Sequence, residues 1–224
     1  METIGQTTFF RSGPDRGPWR HGPYGVAVHC LQCRGTVDVT SLVGPGNYSE
    51  NDGVSPHTMS DQRQIVELLG PDRWGSHIGS QGNPILWGAE VTGFAEWTSA
   101  QWADNAAAVR NQAKAIGRFW AYQGWAVEDL TWGSLDELAQ ARRRFEQGQG
   151  PVAPRLWPHG DVSKAIGGTT HWDPGDGYPY ADLVKWAREW AVGGSPTVGA
   201  DDSRDWFDTA SITDLLEVIA EALV

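Results

Sequence analysis

Residues 98–124 constrain the fold of this chain more than any other segment. Thr98 and Gln101 have the spacing of a capping box, in which each side chain satisfies a free backbone N–H group at the start of a helix. Apolar side chains then recur at helical spacing: Trp102, Val109, Ala113, Ile116 and Trp120. Gly124 is a natural C-terminal stop. The pattern predicts a long helix with one apolar face, which must pack against another layer of the fold.

Short strands are predicted on the N-terminal side of this helix. Val26 and Val28 alternate within residues 25–29, and the segments 64–69 and 87–91 are two further candidates. On the other side, capping-box spacing predicts a shorter helix from residue 134, and apolar spacing predicts another over residues 181–191. Because strands and helices mix irregularly, we expect an α/β fold with a mixed central β-sheet flanked by helices.

Three regions are predicted along the chain. Residues 1–23 contain three Gly–Pro pairs and read as a loop-like arm, and residues 24–194 form one domain. Residues 195–224 combine an acidic linker with a short amphipathic tail helix, whose apolar residues are Ile212, Leu215, Leu216, Ile219 and Leu223. That apolar face must pack on the main domain, on a second copy of the chain or on a partner protein.

Composition excludes several classes of function. Seventeen basic and 28 acidic residues give a formal net charge of −11, which opposes nucleic-acid binding. No apolar run reaches the length of a membrane span, and the N-terminus lacks a signal-peptide pattern, so we expect synthesis in the cytoplasm without classical secretion. Most of the 13 tryptophans are predicted to be core residues, although an indole face also suits stacking on sugars.

The two cysteines form a CxxC pair, Cys30 and Cys33. Two cysteines exclude a disulfide framework, and one pair cannot complete a four-ligand zinc site. A redox motif of this type would begin a helix, whereas Gly35 and a β-rich segment follow here. We therefore expect no redox function. A redox function would also predict activity that survives a metal chelator.

Histidines and carboxylates provide the candidate chemistry. His29 ends the first predicted strand, where a ligand would be held rigidly at the rim of a sheet. His171 and Asp173 are two residues apart, so in an extended segment both side chains point the same way, and His159 lies upstream. Two histidines and one carboxylate leave an open position on zinc, which a hydrolase fills with water. Surface pairing is the alternative for such groups.

Glu90 lies within the apolar segment 86–91. Burying a carboxylate in an apolar strand costs free energy unless the group is paired or has a role in catalysis. Near a metal-bound water it would act as a general base, and the alternative is a sheet residue that faces solvent.

The order of these residues resembles the zinc-dependent N-acetylmuramoyl-L-alanine amidases of phages and bacteria, which share a fold with peptidoglycan-recognition proteins. The similarity is greatest to lysin amidase domains of phages that infect actinobacteria. It extends from about residue 24 to residue 190 and is carried by Val28-His29, Ser55-Pro56-His57, His77-Ile78-Gly79, Gly88-Ala89-Glu90, His159-Gly160-Asp161 and Asp173-Pro174-Gly175.

The resemblance implies His29, His159 and Asp173 as zinc ligands and Glu90 as the general base. His171 stands where some members have a lysine, which implies a role in stabilising the oxyanion; a rival role as a metal ligand in place of Asp173 stays open.

Other positions carry less defined expectations. His57 and His77 are expected to line the substrate groove or to support it. Pro56 replaces a family tyrosine, so Glu90 would act as base alone, and Cys30 is a candidate additional ligand.

The implied activity is hydrolysis of the amide between N-acetylmuramic acid and L-alanine in peptidoglycan, by a phage lysin that acts at the bacterial cell wall. Two alternatives keep the same fold. One is a module that binds peptidoglycan without cutting it, and the other is a structural component of a virion, carried by the tail helix.

Overall fold

A computed structural model of the chain describes residues 6–9, 15–43 and 53–193. The predicted tail helix over 212–223 and its linker lie outside the described residues, as do residues 1–5 and 10–14 of the predicted N-terminal arm. Among the described helices, none combines the length and the apolar character that crossing a lipid bilayer requires.

The described strands form one mixed sheet of six, in the order β1-β4-β3-β5-β2-β6. They are β1 (Gln6–Phe9), β2 (Gly25–Cys30), β3 (Thr58–Ser60), β4 (Gln64–Glu67), β5 (Leu86–Val91) and β6 (Arg155–Pro158). β3 is antiparallel to β4, and all other neighbours are parallel. The expected mixed sheet is confirmed. The three predicted strands correspond to β2, β4 and β5. Strands β1, β3 and β6 were not predicted, and β1 lies within residues 1–23, which were predicted to be loop-like.

Helices flank both faces of the sheet. They are α1 (Gly79–Gly82), α2 (Ser99–Asp104), α3 (Ala106–Tyr122), α4 (Leu135–Glu146), α5 (His159–Ile166) and α6 (Tyr180–Gly193). Single turns of 3-10 helix cover Val39–Leu42 and Val127–Asp129. Helix α3 packs on β3, β4, β5 and α6, while α4 packs on α5, which contacts β2 and β6.

Both capping boxes are confirmed, but the long predicted helix is divided in two. Thr98 caps α2 and Ser134 caps α4, each with the reciprocal side-chain bond. Asn105 separates α2 from α3: its buried amide donates a hydrogen bond of 2.6 Å to the carbonyl oxygen of Thr92 and accepts one of 2.9 Å from Gln62. These bonds tie the start of α3 to the end of β5 and interrupt the helix there.

Alternation along β2 and β5 assigns their side chains to two faces. Val26 and Val28 of β2, with Trp87 and Ala89 of β5, belong to the main hydrophobic cluster beneath α3. The alternate positions, which include His29 of β2, therefore face the opposite side of the sheet.

Gln112 connects helix α3 to the ends of two strands. Its side-chain amide donates to the carbonyl oxygens of His29, at 3.1 Å, and Ala89, at 2.8 Å. Its side-chain oxygen accepts a hydrogen bond from the Tyr178 hydroxyl. The side chain is fully buried, so every one of these bonds is shielded from water.

We expect Gln112→Leu to lower the free energy of unfolding by about 1–3 kcal/mol, because it leaves the buried Tyr178 hydroxyl without its acceptor. Gln123→Leu, at the end of the same helix, is the control, since Gln123 makes only a 3.5 Å bond to Pro71 and its replacement should cost less than about 0.5 kcal/mol. Urea denaturation measures both values, and equal destabilisation by the two variants would contradict the bridging role of Gln112.

Candidate metal centre

Three parallel strands bring the predicted residues to one edge of the sheet. His29 is the penultimate residue of β2 and pairs in register with Glu90 of β5. β6, parallel to β2 on its other side, ends at Pro158, and His159 follows at once as the first residue of α5. Because the carboxyl ends of parallel strands meet at the same edge, these side chains converge there.

Asp173 reaches this edge from the segment before α6. One oxygen of its carboxylate accepts a hydrogen bond of 3.1 Å from the backbone N–H of Cys30, and its own carbonyl oxygen accepts one from Gly160. Gly175 then turns the chain with a φ of +86°, and a Cβ there would collide with the carbonyl oxygen of Ala95. The turn therefore requires glycine, and it fixes where the carboxylate lies.

His29, His159 and Asp173 form a compact, buried group. The Nδ1 atoms of the two histidines are 2.9 Å apart, and the carboxylate oxygens lie 3.1 Å from His159 Nδ1 and 3.6 Å from His29 Nδ1. Tetrahedral zinc with nitrogen and oxygen ligands spaces its ligand atoms about 3.3 Å apart. Within the described residues, this is the group of three that has the spacing to hold a metal ion.

The electrostatics of the group match a zinc donor set. Burial, followed by the neighbouring His159, lowers the pKa of His29 to about 4, so its imidazole is neutral near pH 7. Burial alone would raise the pKa of Asp173, but hydrogen bonds with His159 and His29 outweigh it and hold that pKa below its ordinary value. A neutral imidazole and an ionised carboxylate are the forms that bind zinc.

Glu90 lies beside the group and is almost fully buried. Its Oε1 is 3.8 Å from His29 Nδ1, and its buried Oε2 has no hydrogen-bond partner among the described residues. Burial raises the pKa of the carboxyl well above its ordinary value, and the Asp173 carboxylate raises it further. An orphaned buried oxygen next to three metal-type ligands fits a site that holds a metal and its water.

His171 lies at the rim of the site. Its side chain is 64% exposed, and its Nδ1 is 3.6 Å from Asp173 Oδ1. Its ring stacks on that of His159, with centroids 4.6 Å apart and an interplanar angle of 9°. The compact group includes Asp173 and leaves His171 out, so the geometry favours Asp173 as the third ligand and places His171 beside it.

The two histidines expected at the substrate groove have different positions. His77 is part of the pocket wall. His57 is fully buried, its Nε2 is 2.8 Å from the carbonyl oxygen of Arg73, and its Nδ1 accepts a 2.8 Å hydrogen bond from the backbone N–H of Gly88. His57 was expected to line the groove or to support it, and its buried position with two backbone partners is that of a supporting residue.

The cysteines do not join the metal group. Cys30 is the last residue of β2 and packs in the main hydrophobic cluster, and Cys33 forms a bridge to Gly93. Both are free thiols, and burial raises the pKa of each, which disfavours the reactive thiolate. Neither starts a helix, so the arrangement gives no support to a redox site.

Sequence reasoning missed residues that hold the site in place. Thr169 Oγ1 lies 3.0 Å from His159 Nε2, and Asn83 Oδ1 accepts 2.8 Å hydrogen bonds from the backbone N–H groups of His77 and Ile78. The sequence contained a signal for Gln112, because it is a polar residue within the apolar stripe of a predicted helix. Thr169 had none, because it stands in a Gly-rich segment without periodicity.

The group opens into a pocket of about 940 Å³. Its lining includes His29, His77, Glu90, His159, His171 and Asp173. A cleft of this size accepts a ligand larger than water, with the candidate metal and Glu90 at its base.

Solved structures share this architecture. Staphylococcus aureus hydrolase AmiA, determined in complex with its ligand, matches with a TM-score of 0.56 and 23% identity over 84% of this chain and 82% of that chain. This chain shares the fold of that hydrolase. The α/β fold that the sequence resemblance implied is thereby confirmed.

Two further solved structures belong to the same set of matches. A mutant endolysin from Bacillus subtilis matches with a TM-score of 0.45 and 17% identity over 84% of this chain and 99% of that one. The N-acetylmuramoyl-L-alanine amidase LysC from Clostridium intestinale matches with 0.43 and 12%, over 80% and 94%. No family model matches the chain, and no curated protein matches its sequence.

The zinc content of two variants would show whether Asp173 or His171 is the third ligand. We expect Asp173→Ala to lose stoichiometric zinc, because it removes one of the three converging donors. His171→Ala should keep one zinc per chain, since its ring lies outside the group. Elemental analysis after dialysis measures both contents, with circular dichroism as the check on folding. Loss of zinc from His171→Ala alone would reverse the assignment.

Proposed function

We propose that this protein is a zinc-dependent N-acetylmuramoyl-L-alanine amidase. It hydrolyses the amide between the lactyl group of N-acetylmuramic acid and the L-alanine of the stem peptide, and it acts as a phage lysin at the bacterial cell wall. The observation that carries the proposal is the convergence of His29, His159 and Asp173 with a buried Glu90 at the base of an open pocket. The fold shared with AmiA and the name of LysC support the substrate class.

Zinc is the proposed metal because two imidazoles and one carboxylate are a hydrolytic zinc set. His29 and His159 would bind it through Nδ1, and Asp173 through its carboxylate. When bound there, zinc supplies a Lewis acid that polarises the amide carbonyl and makes water more acidic.

Glu90 has the position and the proton affinity of the general base. Its carboxylate takes a proton from the attacking water as that water adds to the amide carbonyl. Glu90 then delivers this proton to the nitrogen of the leaving alanine. The amide C–N bond breaks, leaving a lactyl carboxyl group and a free alanine amino group.

His171 would stabilise the negative charge that develops on the carbonyl oxygen. Stacking on His159 orients its ring at the pocket, where a ring N–H can donate to the oxyanion. Because the His171 side chain is exposed, bound substrate would cover it and shield this hydrogen bond from water.

The chain also offers an exposed aromatic surface. Trp172, next to His171 in the sequence, has a side chain that is 59% exposed, while the largest buried side chains include four other tryptophans. An exposed indole offers a flat apolar face on which a sugar ring can stack. Because the chain is strongly acidic, recognition of an anionic wall must come from such shaped contacts rather than from net charge.

The test of the proposed function is the product. Purified peptidoglycan incubated with the zinc-loaded protein should release new N-terminal alanine without new reducing sugar ends, and a chelator should abolish the release. One zinc per chain with no alanine release would reject the amidase and leave a binding module.

We expect Glu90→Gln to keep one zinc per chain and to lower turnover by about 10²–10⁴-fold, because an amide cannot accept the proton of the attacking water. Glu96→Gln is the matched control, as it changes an exposed carboxylate six residues along the chain. Alanine release per enzyme measures turnover, and an unimpaired Glu90→Gln variant would remove Glu90 from the mechanism.

His171→Ala should reduce kcat by about 10²–10³-fold while the zinc content stays at one per chain, because it removes an oxyanion donor and no ligand. His21→Ala, whose ring contacts Phe145, controls for loss of a histidine. Steady-state kinetics on a soluble muropeptide separates kcat from KM. A change confined to KM would show that His171 binds ground-state substrate only.

A further inference from the structure

His77 makes a direct polar contact with a proposed metal ligand. Its Nδ1 lies 3.1 Å from His29 Nε2, and its Nε2 lies 3.0 Å from the carbonyl oxygen of Leu86. The rings of His77 and His29 meet edge to face, with centroids 5.2 Å apart. His77 therefore connects the backbone of β5 to the nitrogen of His29 that points away from the metal group.

The carbonyl oxygen of Leu86, at the end of this series of contacts, determines which nitrogen of each ring carries the proton. A carbonyl oxygen only accepts, so His77 must donate from Nε2 to Leu86. The neutral His77 ring then has its lone pair at Nδ1, and His29 must donate from Nε2. This leaves the lone pair of His29 at Nδ1, the atom that faces His159 and Asp173.

We propose that His77 is a positioning residue, which fixes the tautomer and the ring orientation of His29 and thereby strengthens zinc binding. The proposal rests on the zinc site of the proposed function. An outer hydrogen-bond partner of a metal-bound histidine sets which nitrogen carries the proton and holds the ring in place.

The other histidine of the group has a different outer partner. His159 Nε2 lies 3.0 Å from Thr169 Oγ1, and a hydroxyl can donate or accept. Thr169 therefore does not dictate the tautomer of His159. The contacts of His29 through His77 end at a carbonyl oxygen, which can only accept a hydrogen bond. The fold therefore determines the tautomer of His29 but not that of His159.

His77 is itself held firmly. Asn83 Oδ1 accepts 2.8 Å hydrogen bonds from its backbone N–H and from that of Ile78. The ring lies directly against Gly88 of β5, where an added Cβ would collide with ring atoms of His77. The absence of a side chain at Gly88 thus creates the space that lets His77 reach both Leu86 and His29.

His21 provides the control. Its ring contacts that of Phe145 edge to face, with centroids 5.7 Å apart, and it is not part of the pocket wall that contains His77 and the three proposed ligands. Its replacement therefore removes a histidine away from the contacts that select the tautomer of His29.

Three variants of the full chain test the proposal by zinc affinity, measured in competition with a chromophoric chelator. His77→Leu should weaken zinc binding by about 10–100-fold. His77→Gln should restore most of it, since its amide can accept from His29 and donate to Leu86. His21→Leu should leave the zinc Kd unchanged. Unchanged affinity in His77→Leu, or equal loss in His77→Leu and His77→Gln, would overturn the proposal.

A second measurement needs no variant. In the zinc-free wild-type protein, ¹H–¹⁵N NMR of the histidine rings should show His29 protonated at Nε2 and not at Nδ1. Protonation at Nδ1 would overturn the proposal even if a His77 variant failed to fold. Failure of the proposed function is a separate result, because it would appear as tight zinc binding without release of alanine.

Discussion

The parallel pairing of β2 with β5 and β6 is the constraint on which the site depends. Register places His29 beside Glu90, and the end of β6 delivers His159 to the same edge. A shift of one residue in either pair would turn a ligand to the other face of the sheet, into the apolar cluster beneath α3. Backbone hydrogen bonds of the sheet therefore determine the spacing of the reactive side chains before any of them interacts with a ligand.

The sequence predicted the parts of the fold that have a strong local signal. Both capping boxes, the long apolar stripe and the strands ending near His29 and Glu90 are recovered in the structure. The division of the long helix at Asn105 was not predictable, because it depends on a hydrogen bond to Thr92 that exists only in the folded chain. Strand β6 is short and contains a proline, so its alternation was not visible.

The candidate site was likewise predictable only where the sequence carries a recognisable pattern. The positions of His29, His159 and Asp173 followed from motif order, and the structure brings these three together. The sequence left open whether Asp173 or His171 belongs to the group, because two residues at that spacing point alike in an extended segment. Contacts such as that of Thr169 with His159 join positions without any sequence pattern, and only the folded chain reveals them.

The sequence separation of the donor atoms has a consequence for folding. His29 and His159 are 130 residues apart, yet their ring nitrogens nearly touch. An ion held between them would close a loop that spans most of the described chain, and the unfolded chain could form such a loop only at a cost in entropy. Since the three donors converge only in the native state, the affinity of the site for its ion would be expressed directly as resistance to unfolding.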